Sequence, residues 1–518
     1  MPEGPARMVV RGGTVVDATG SRRADVAVAG GVVSMVAADL QTPAGATVLE
    51  AGGCLVAPGL VDLHAHLREP GAEEAECIDS GARAAALGGY TAVVAMPNTD
   101  PALDSAAAVR QVLDLGAKAC AEVAVAGAIT VGRRGERLAP MAEMVALGVR
   151  IFTDDGTGVQ SSRLMRRALE YASALGAVLA QHCEDAGLAA GGHMHEGEWS
   201  SRLGLPGVPA AAEEVMVARD LALARLTGGR LHLMHLSTAG SVALVRAAKS
   251  EGLEVTAEVT PHHLSLTDAE VAGYDPVLKV NPPLRSPEDV DALRAGLGDG
   301  TVDAIATDHA PHPQEAKELA FDQAPPGMIG LETALAVVLT HLTPAGPGPA
   351  PDAGRRPGAG PDRGPDPGRR PGAGGLDAAG VLARCSWVPA AIAGLSGRHG
   401  GPVVAGAAAN LCVVDPTATW VVEPARMASR SRNTPFAGRR LTGRVRHTVY
   451  RGEPVVVDAE AQRGVGGAAP TASPSNTSPS ASTSRAVVRR PGSTALIVGP
   501  RRPPPPARPG RRCGGPCR

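Results

Sequence analysis

The sequence predicts an α/β protein: a (β/α)₈ barrel with a small β-domain assembled from the two ends of the folded region. Strand-like and helix-like segments alternate through the middle of the chain, and short strands with tight turns flank them on both sides. A chain of 518 residues has room for both units. Because aromatic residues make up only 2% of the chain, the core has to consist of Ala, Val, Leu and Ile, which suits helices packed on buried parallel strands.

Residues 1–56 form the first part of the predicted β-domain. The segments MVVRGGTVVDA, ADVAVAGGVVSMVA and ATVLEAGG alternate apolar and polar residues and are bounded by Gly-Gly or Thr-Gly. This pattern predicts β-hairpins. Similar segments return within residues 398–458, in NLCVVDP and GRVRHTVYRGEPVVV. We therefore expect the two parts to combine into one composite β-domain.

Residues 57–397 contain most of the strand–helix alternation and form the predicted barrel, whose first strand starts just before them. Helices such as 161–175 and 211–226 fill the gaps between buried strands. Eight such strands are present, which is the number that closes the barrel. The predicted strands are 54–61, 90–95, 122–129, 149–153, 177–181, 231–235, 254–259 and 302–307.

Two segments have compositions that predict disorder. Residues 344–375, inside the barrel region, are low-complexity Pro, Gly and Arg, and residues 459–518 are rich in Ser and Pro and then in Arg and Pro. The end of the second segment holds Cys513 and Cys517. A basic arm with a thiol or metal pair is one interpretation of this tail, and a solvated appendage without a function of its own is the favoured one.

Composition also limits the classes of partner and compartment. The formal net charge of −2 gives no electrostatic signature of nucleic-acid or membrane binding. No apolar run approaches the roughly 20 residues that span a bilayer, and the N-terminus lacks a signal-peptide pattern. The eight cysteines lack the spacing of a disulfide framework. A protein of the reducing cytoplasm, acting on a small molecule, is the expectation.

The segment PGLVDLHAHLREPG carries the strongest chemical motif. His64 and His66 are two residues apart, so on a strand their side chains share a face, and the end of a barrel strand is where such folds place their chemistry. Imidazoles and carboxylates that converge on one barrel mouth form a ligand set that Zn²⁺ accepts. His232 falls inside a predicted strand, and we expect it to be structural. Further ligand-type residues at strand ends are Asp154, Asp155, His182, His235, Asp308, His309 and His312.

These residues resemble the pattern of the amidohydrolase superfamily: HxH after strand one, a carboxylate after strand four, single histidines after strands five and six, and Asp after strand eight. Within that superfamily the chain resembles the bacterial dihydroorotase family. The resemblance covers residues 8–457 apart from the Pro/Gly segment, and it rests on DLHAHLREPG, AMPNTDP, FTDDGTGVQ, EVTPHHLSLT, KVNPPLR, IATDHAPH and RNTPFAG.

The resemblance implies two zinc ions. In many relatives a carbamylated lysine after strand four bridges the metals, but here Asp155 matches that position and no lysine lies nearby. This difference disfavours hydantoinases and dihydropyrimidinases, which normally use the lysine. One ion would be held by His64, His66 and Asp308, and the second by His182 and His235.

The resemblance also implies the substrate contacts. Arg68 is the first of them, because a guanidinium binds a carboxylate bidentately; its alternative interpretation is a surface charge. Relatives place an aromatic residue before a glycine where this chain has Pro326 and Gly327, whose backbone groups are expected to face the substrate. The remaining expected contacts are His66, Asn98, Asn281 and His312.

The activity that the resemblance implies is the reversible ring closure of N-carbamoyl-L-aspartate to L-dihydroorotate in pyrimidine synthesis. Asp308 would accept a proton from water and pass it to the leaving ring nitrogen. Two alternatives remain: a related cyclic amidase such as an allantoinase or hydantoinase, and a non-catalytic dihydroorotase-like partner of aspartate carbamoyltransferase. An active enzyme that associates with that partner, or with copies of itself, is also left open.

Overall fold

The computed structural model describes residues 7–343 and 375–462. The Pro/Gly segment through residue 374, and the tail from residue 463 with both of its cysteines, lie outside the described residues. The predicted start of the tail at residue 459 is too early. Glu460–Ala461 forms a short strand that pairs antiparallel with Val456 and Val457, so the β-domain continues to this point.

Eight parallel strands form the barrel, as predicted, and each pairs with its neighbour along the chain. The segments that follow strands one and eight meet at a parallel bridge between Ala65 and His309, where the His66 N–H donates to the His309 carbonyl at 2.8 Å. This contact brings the first and last strands of the sheet together. Barrel strands one to eight are Leu60–Ala65, Tyr90–Ala95, Glu122–Gly127, Ile151–Phe152, Val178–Gln181, Leu231–Leu233, Val255–Val259 and Ala304–Ile305.

The prediction of one strand over residues 54–61 is wrong, because this apolar run contains two strands. Leu55–Pro58 belongs to a sheet of the β-domain, and only Leu60–Ala65 enters the barrel. Both strands are buried, so hydrophobicity alone does not separate them. Gly59 lies between them, and a Cβ there would overlap the side chain of the buried Thr91. The strand that carries His64 therefore begins later and extends to Ala65.

The composite β-domain is also present, as two sheets that share one apolar cluster. Leu411–Val421 pairs antiparallel with Leu55–Pro58, so the N- and C-terminal parts meet strand to strand. The four-stranded sheet has the order Val32–Ala37, Asp25–Ala29, Met8–Arg11, Thr47–Glu50. The seven-stranded sheet has the order Glu460–Ala461, Glu453–Val457, Arg440–Tyr450, Leu411–Val421, Leu55–Pro58, Thr14–Asp17, Gly20–Arg23.

Two of the N-terminal Thr-Gly and Gly-Gly pairs lie at hairpin turns. The chain turns back around Thr19-Gly20 and around Gly30-Gly31, and the flanking strands pair antiparallel. At Gly12-Gly13 it instead crosses from the four-stranded to the seven-stranded sheet. Val10 and Val15, on either side of this crossing, contribute to the same buried cluster, so the two segments bury their apolar faces together rather than pairing as neighbours.

The barrel helices follow from periodicity and capping. In Ser162–Ala174 the buried Met165, Ala168, Leu169 and Ala172 recur at helical spacing, and the side chain of Ser161 accepts from the Leu164 N–H at the first turn. No helix among the described residues is long and apolar enough to cross a membrane. The α-helices of eight or more residues are Ile78–Leu87, Ala106–Gly116, Ser162–Ala174, Ala211–Thr227, Ala239–Ser250, Pro287–Asp299, Ala334–Leu342 and Ala378–Cys385. The shorter ones are Met141–Val145, Ala186–Ala189, Glu198–Leu203, Gln314–Lys317 and Trp387–Ile392.

Gly59→Ala is expected to lower the free energy of unfolding by about 1–3 kcal/mol, because the added methyl group forces apart the packed strands around Thr91. Urea denaturation followed by circular dichroism measures the change. Gly52→Ala is the matched control, since its Cβ would meet nothing within 4 Å, and its effect should stay within about 0.5 kcal/mol. Equal effects of the two substitutions would contradict the packing argument.

Candidate metal centre

The predicted ligand residues converge at the carboxyl ends of the barrel strands. His64 lies in strand one itself, and His66 follows its last residue. His182 directly follows strand five, and His235 lies two residues beyond strand six. The structure therefore brings together side chains that are up to 244 residues apart in the chain. Asp155 and Asp308 complete the group, and all six residues are buried.

Asp155 is at the centre of this group. Its Oδ1 lies 3.5 Å from His64 Nε2, and its Oδ2 lies 3.5 Å from His66 Nε2. On the other side the same Oδ1 lies 3.6 Å from His182 Nδ1 and 3.7 Å from His235 Nε2. Two sets of three ligand atoms, each within 4.8 Å of one another, share this carboxylate. Asp155 is thus placed between two potential metal positions.

Asp308 lies beside the first of these sets. Its Oδ1 is 3.1 Å from His66 Nε2 and 3.5 Å from His64 Nε2. Burial alone would raise the pKa of Asp308, but His64 and His66 outweigh burial and hold the pKa below its usual range. The pKa of Asp155 is likewise raised by burial and held well below its usual value by His64, His182 and His235. Both carboxylates are therefore ionised at neutral pH.

Hydrogen bonds on the far side of the imidazoles orient two of the histidines. His64 Nδ1 donates to Glu258 Oε1 at 3.0 Å, and His66 Nδ1 donates to Asn98 Oδ1 at 2.9 Å. In the neutral imidazole each bond places the ring proton on Nδ1, so that Nε2, which faces the carboxylates, is the nitrogen available to a metal. Burial would raise the pKa of Glu258, but His232 and His64 lower it to about 2.

The donor set fits a bound cation. His64 Nε2 is buried and has no hydrogen-bond partner among the residues that the structure describes, although it faces oxygens of both Asp155 and Asp308 at 3.5 Å. Burial lowers the pKa of His64, yet the two carboxylates raise it well above its ordinary value. A pocket that gathers two carboxylates away from water requires positive charge. Imidazole nitrogen and carboxylate oxygen are the ligands that zinc accepts.

Three site residues adopt left-handed backbone conformations. The φ angles are 62° at Arg68, 31° at His235 and 45° at Asp308. Non-glycine residues rarely adopt positive φ, and each instance costs roughly 1–3 kcal/mol. The surrounding packing holds these three residues in this conformation. At each of them the backbone turns away from the strand, and the side chain lies at the mouth of the barrel.

The residues predicted to contact substrate border the same mouth. Arg68 Nε donates to the Pro311 carbonyl at 3.1 Å, and its Nη2 lies 3.5 Å from His312 Nε2. His312 Nε2 in turn donates to the Pro326 carbonyl at 2.9 Å. Burial and the charge of Arg68 lower the pKa of His312 to about 3, so this imidazole is neutral.

The amide groups expected to meet substrate are engaged within the protein. Asn281 Nδ2 lies 3.3 Å from His182 Nε2, and Asn98 Nδ2 donates to Asp155 Oδ2 at 3.3 Å. The Gly327 N–H donates to the Lys279 carbonyl at 2.8 Å. The predicted contacts of these residues with substrate remain predictions.

Two ligand-type residues at strand ends make other contacts. The carboxylate of Asp154 accepts from the N–H groups of Ile129 and Thr130, which ties strand four to the end of strand three. His309 faces Glu76 Oε2 at 3.3 Å. A strand-end position places a residue at the mouth but does not determine the direction of its side chain.

Sequence reasoning missed Glu258. This fully buried carboxylate accepts from His64 Nδ1 and, at 3.1 Å, from His232 Nε2. His232 also contacts Thr256 Oγ1 at 2.8 Å, in keeping with the structural role expected for it. An acidic residue near the end of the predicted buried strand EVTAEV was the available signal, because a buried carboxylate requires partners.

Asn433 is a second missed residue, and it lies in the connection between two β-domain strands, Leu411–Val421 and Arg440–Tyr450. Its Nδ2 donates to the carbonyls of Ala310 and Gly327 at 3.0 and 3.1 Å, and its Oδ1 accepts from the His312 N–H at 3.3 Å. The motif RNTPFAG contains it, but nothing local in the sequence indicates what its amide contacts.

Comparison with known proteins gives consistent matches. A family model described as Dihydro-orotase-like matches residues 53–241. The dihydroorotase of Streptomyces coelicolor is 48% identical over 88% of this chain and 99% of its own length. That of Pelotomaculum thermopropionicum is 47% identical over 87% of this chain and 99% of its own. The dihydroorotase of Mycobacterium tuberculosis is 46% identical over 85% of this chain and 96% of its own length.

Solved structures with the same architecture include hydantoinases. The L-hydantoinase (dihydropyrimidinase) of Arthrobacter aurescens aligns with a TM-score of 0.74 over 88% of this chain and 97% of its own, at 24% identity. A D-hydantoinase aligns with a TM-score of 0.71 over 88% of this chain and 96% of its own, at 21% identity. At these identities the two structures establish the fold alone.

Asp155→Ala is expected to remove more bound metal per chain than His182→Ala, because Asp155 alone belongs to both sets of ligand atoms. Elemental analysis by mass spectrometry, after dialysis against a zinc buffer, measures the metal content. Asp154→Asn is the matched control: it should retain wild-type metal, since Asp154 contacts backbone amides of strand three. Full metal content in Asp155→Ala would refute the shared position.

Proposed function

Since this chain belongs to the dihydroorotase family, we propose that it catalyses the reversible ring closure of N-carbamoyl-L-aspartate to L-dihydroorotate with two zinc ions in the barrel mouth. The observation that carries this proposal is the position of Asp155 between two sets of ligand atoms, with the ionised Asp308 beside one of them. The family's activity requires a metal pair and a proton acceptor, and this arrangement of residues suits both.

In the proposed centre, one zinc ion would be held by His64, His66 and Asp308, and the second by His182 and His235, with Asp155 between them. Zinc supplies Lewis-acid chemistry: it acidifies water and polarises a carbonyl oxygen. Asp155 would take the place of the carbamylated lysine of other superfamily members, so the site would assemble without carbon dioxide.

Asp308 is the proposed proton carrier. Its ionised Oδ1 at the barrel mouth can accept a proton from water during hydrolysis and release it to the ring nitrogen as the amide bond breaks. In the direction of ring closure the same oxygen takes the proton from the attacking ureido nitrogen. The contact with His66 Nε2 at 3.1 Å holds the carboxylate in place. The backbone of Asp308, with a φ of 45°, sets the direction in which the side chain leaves the strand.

Arg68 is the proposed anchor for the substrate carboxylate. Its guanidinium borders the mouth and is held by the Pro311 carbonyl, which leaves further N–H groups for a planar anion. Asn98, Asn281 and the backbone at Pro326-Gly327 complete the proposed recognition set. His312, which is neutral and bonded to the Pro326 carbonyl, fixes that backbone segment.

A cyclic amidase that acts on uncharged rings is the second candidate, since hydantoinases share the fold. The position of Arg68 at the mouth favours a carboxylated ring instead. A non-catalytic partner of aspartate carbamoyltransferase is the third candidate. It is disfavoured because all six proposed metal ligands are present and brought together.

We propose further that the protein works in the cytoplasm, because all six cysteines in the described ranges are free thiols.

Association with another copy of the chain, or with aspartate carbamoyltransferase, changes its size in solution. Light scattering of the protein alone, and of its mixture with the transcarbamoylase, distinguishes a single chain from either complex.

Zinc-replete protein is expected to hydrolyse L-dihydroorotate, and Asp308→Ala should lower kcat by about 10²–10⁴-fold because the proton acceptor is lost. Absorbance of the dihydroorotate ring follows the reaction. Asp114→Ala is the matched control, since Asp114 is exposed on a barrel helix. Turnover of hydantoin or allantoin without turnover of dihydroorotate would transfer the assignment to the second candidate. Bound zinc without any turnover would favour the third.

Arg68→Met is expected to raise KM for L-dihydroorotate by about tenfold or more, because a charge-assisted contact to the carboxylate is lost. Turnover of dihydrouracil, which lacks the carboxylate, should change little, so the ratio of kcat/KM values for the two rings falls. Arg83→Met is the control, since Arg83 pairs with Asp79 on the surface of a helix. An unchanged ratio would be evidence against this role of Arg68.

A further inference from the structure

Two loops carry four of the proposed substrate contacts. The loop after strand seven contains Asn281, and the loop after strand eight contains His312, Pro326 and Gly327. Neither loop is a regular element over these positions, so their spacing has to be set by contacts between them. Two lysine side chains provide such contacts. Lys279 Nζ donates from the first loop to the Phe321 and Asp322 carbonyls of the second at 2.8 and 3.1 Å, and Lys317 donates in the opposite direction, beside the proposed substrate contacts.

Lys317 ends the short helix Gln314–Lys317 in the loop after strand eight. Its Nζ donates to the Pro325 carbonyl of its own loop at 2.7 Å. The same ammonium donates to the Pro276 carbonyl at 3.0 Å and to the Lys279 carbonyl at 3.4 Å, both in the loop after strand seven. All three donor positions of the ammonium are thereby used.

The acceptors are close neighbours of the proposed contacts. Pro325 directly precedes Pro326 and Gly327, and Lys279 lies two residues before Asn281. The Lys279 carbonyl also accepts from the Gly327 N–H at 2.8 Å. The ammonium of Lys317 and the amide of Gly327 therefore join the two loops at one carbonyl oxygen, immediately beside the proposed substrate positions.

Burial of the Lys317 side chain costs free energy, because its charge is withdrawn from water. It is only 7% exposed, and within residues 7–343 and 375–462 no carboxylate lies within ion-pair distance of it. Burial and the neighbouring Lys279 lower its pKa to about 7. Asp275 acts on this ammonium only from beyond ion-pair distance. A buried cation that is hydrogen-bonded to carbonyls without an ion-paired carboxylate gains little stability from its burial, which points to a role in holding the two loops together.

We infer that Lys317 is a positioning residue: it fixes the spacing between Asn281 and the Pro326-Gly327 backbone, and so sets the affinity of the site for its substrate. This inference rests on the proposed function. Lys317 contacts neither the metal ligands nor the proposed proton carrier, so its loss should affect binding of the substrate more than the chemical step.

Lys317→Met is the test, because it keeps the length of the side chain and removes all three hydrogen bonds. We expect KM for L-dihydroorotate to rise about tenfold, the scale for losing a charge-assisted hydrogen bond, while kcat stays within about threefold and zinc content is unchanged. Hydrogen exchange at the Gly327 amide should become faster, since its acceptor is no longer held in place.

Lys249→Met is the matched control. Lys249 also donates to a carbonyl, that of Gly300 at 3.1 Å, and to Asp303 Oδ2 at 2.6 Å, but it joins a barrel helix to the start of strand eight. This variant should lose stability without a change in KM or in exchange at Gly327. If Lys317→Met does not fold, Lys317→Gln keeps an uncharged NH₂ group with two N–H donors and should give a smaller rise in KM in the same direction.

The outcomes separate this inference from the proposed function. Wild-type turnover of dihydroorotate with unchanged KM and unchanged Gly327 exchange in the Lys317 variants would overturn the positioning role and leave the function intact. A fall in kcat alone, with KM unchanged, would also overturn it. Absence of wild-type turnover would refute the proposed function, while the exchange rate at Gly327 would still report whether Lys317 holds the loops together.

Discussion

The mutual stabilisation of two buried carboxylates and four imidazoles is the interaction on which the rest of the site depends. Asp155 and Asp308 are withdrawn from water, and either one alone would lose its charge or destabilise the fold. Each is kept ionised by histidines that arrive from other strands. These groups stay within a few ångströms of one another because of three features of the fold: the strand register, the contact at His309 that closes the barrel, and the outer hydrogen bonds of the histidines.

The need to keep both carboxylates ionised explains why the network of buried hydrogen bonds extends beyond the proposed ligand residues. Glu258 orients His64 and is itself held by His232, so strands one, six and seven are joined through a chain of buried side chains. Asn98 connects His66 with Asp155 in the same way. In a fully connected network each member lowers the cost of burying the next, whereas a missing member leaves a charge without a partner.

The parts that sequence predicts well are those determined by local pattern. The alternation of strand-like and helix-like segments predicts the barrel, and ligand-type residues at strand ends predict which side chains converge at its mouth, because parallel strands bring their carboxyl ends to one edge. The break at Gly59 was not predicted, since two consecutive buried strands have the same apolar character. Glu258, Asn433 and Lys317 contact partners that lie 194, 121 and 38 residues away in the chain, and no local pattern reports such pairings.

The short link at Gly59 has a mechanical consequence. Leu55–Pro58 is paired on both sides within the β-domain, and one residue later the chain is already in the strand that carries His64. A hinge needs several residues that are free to change their backbone angles, and this junction provides none. The position of the β-domain is therefore coupled directly to that of His64, and the β-domain is a structural continuation of the barrel.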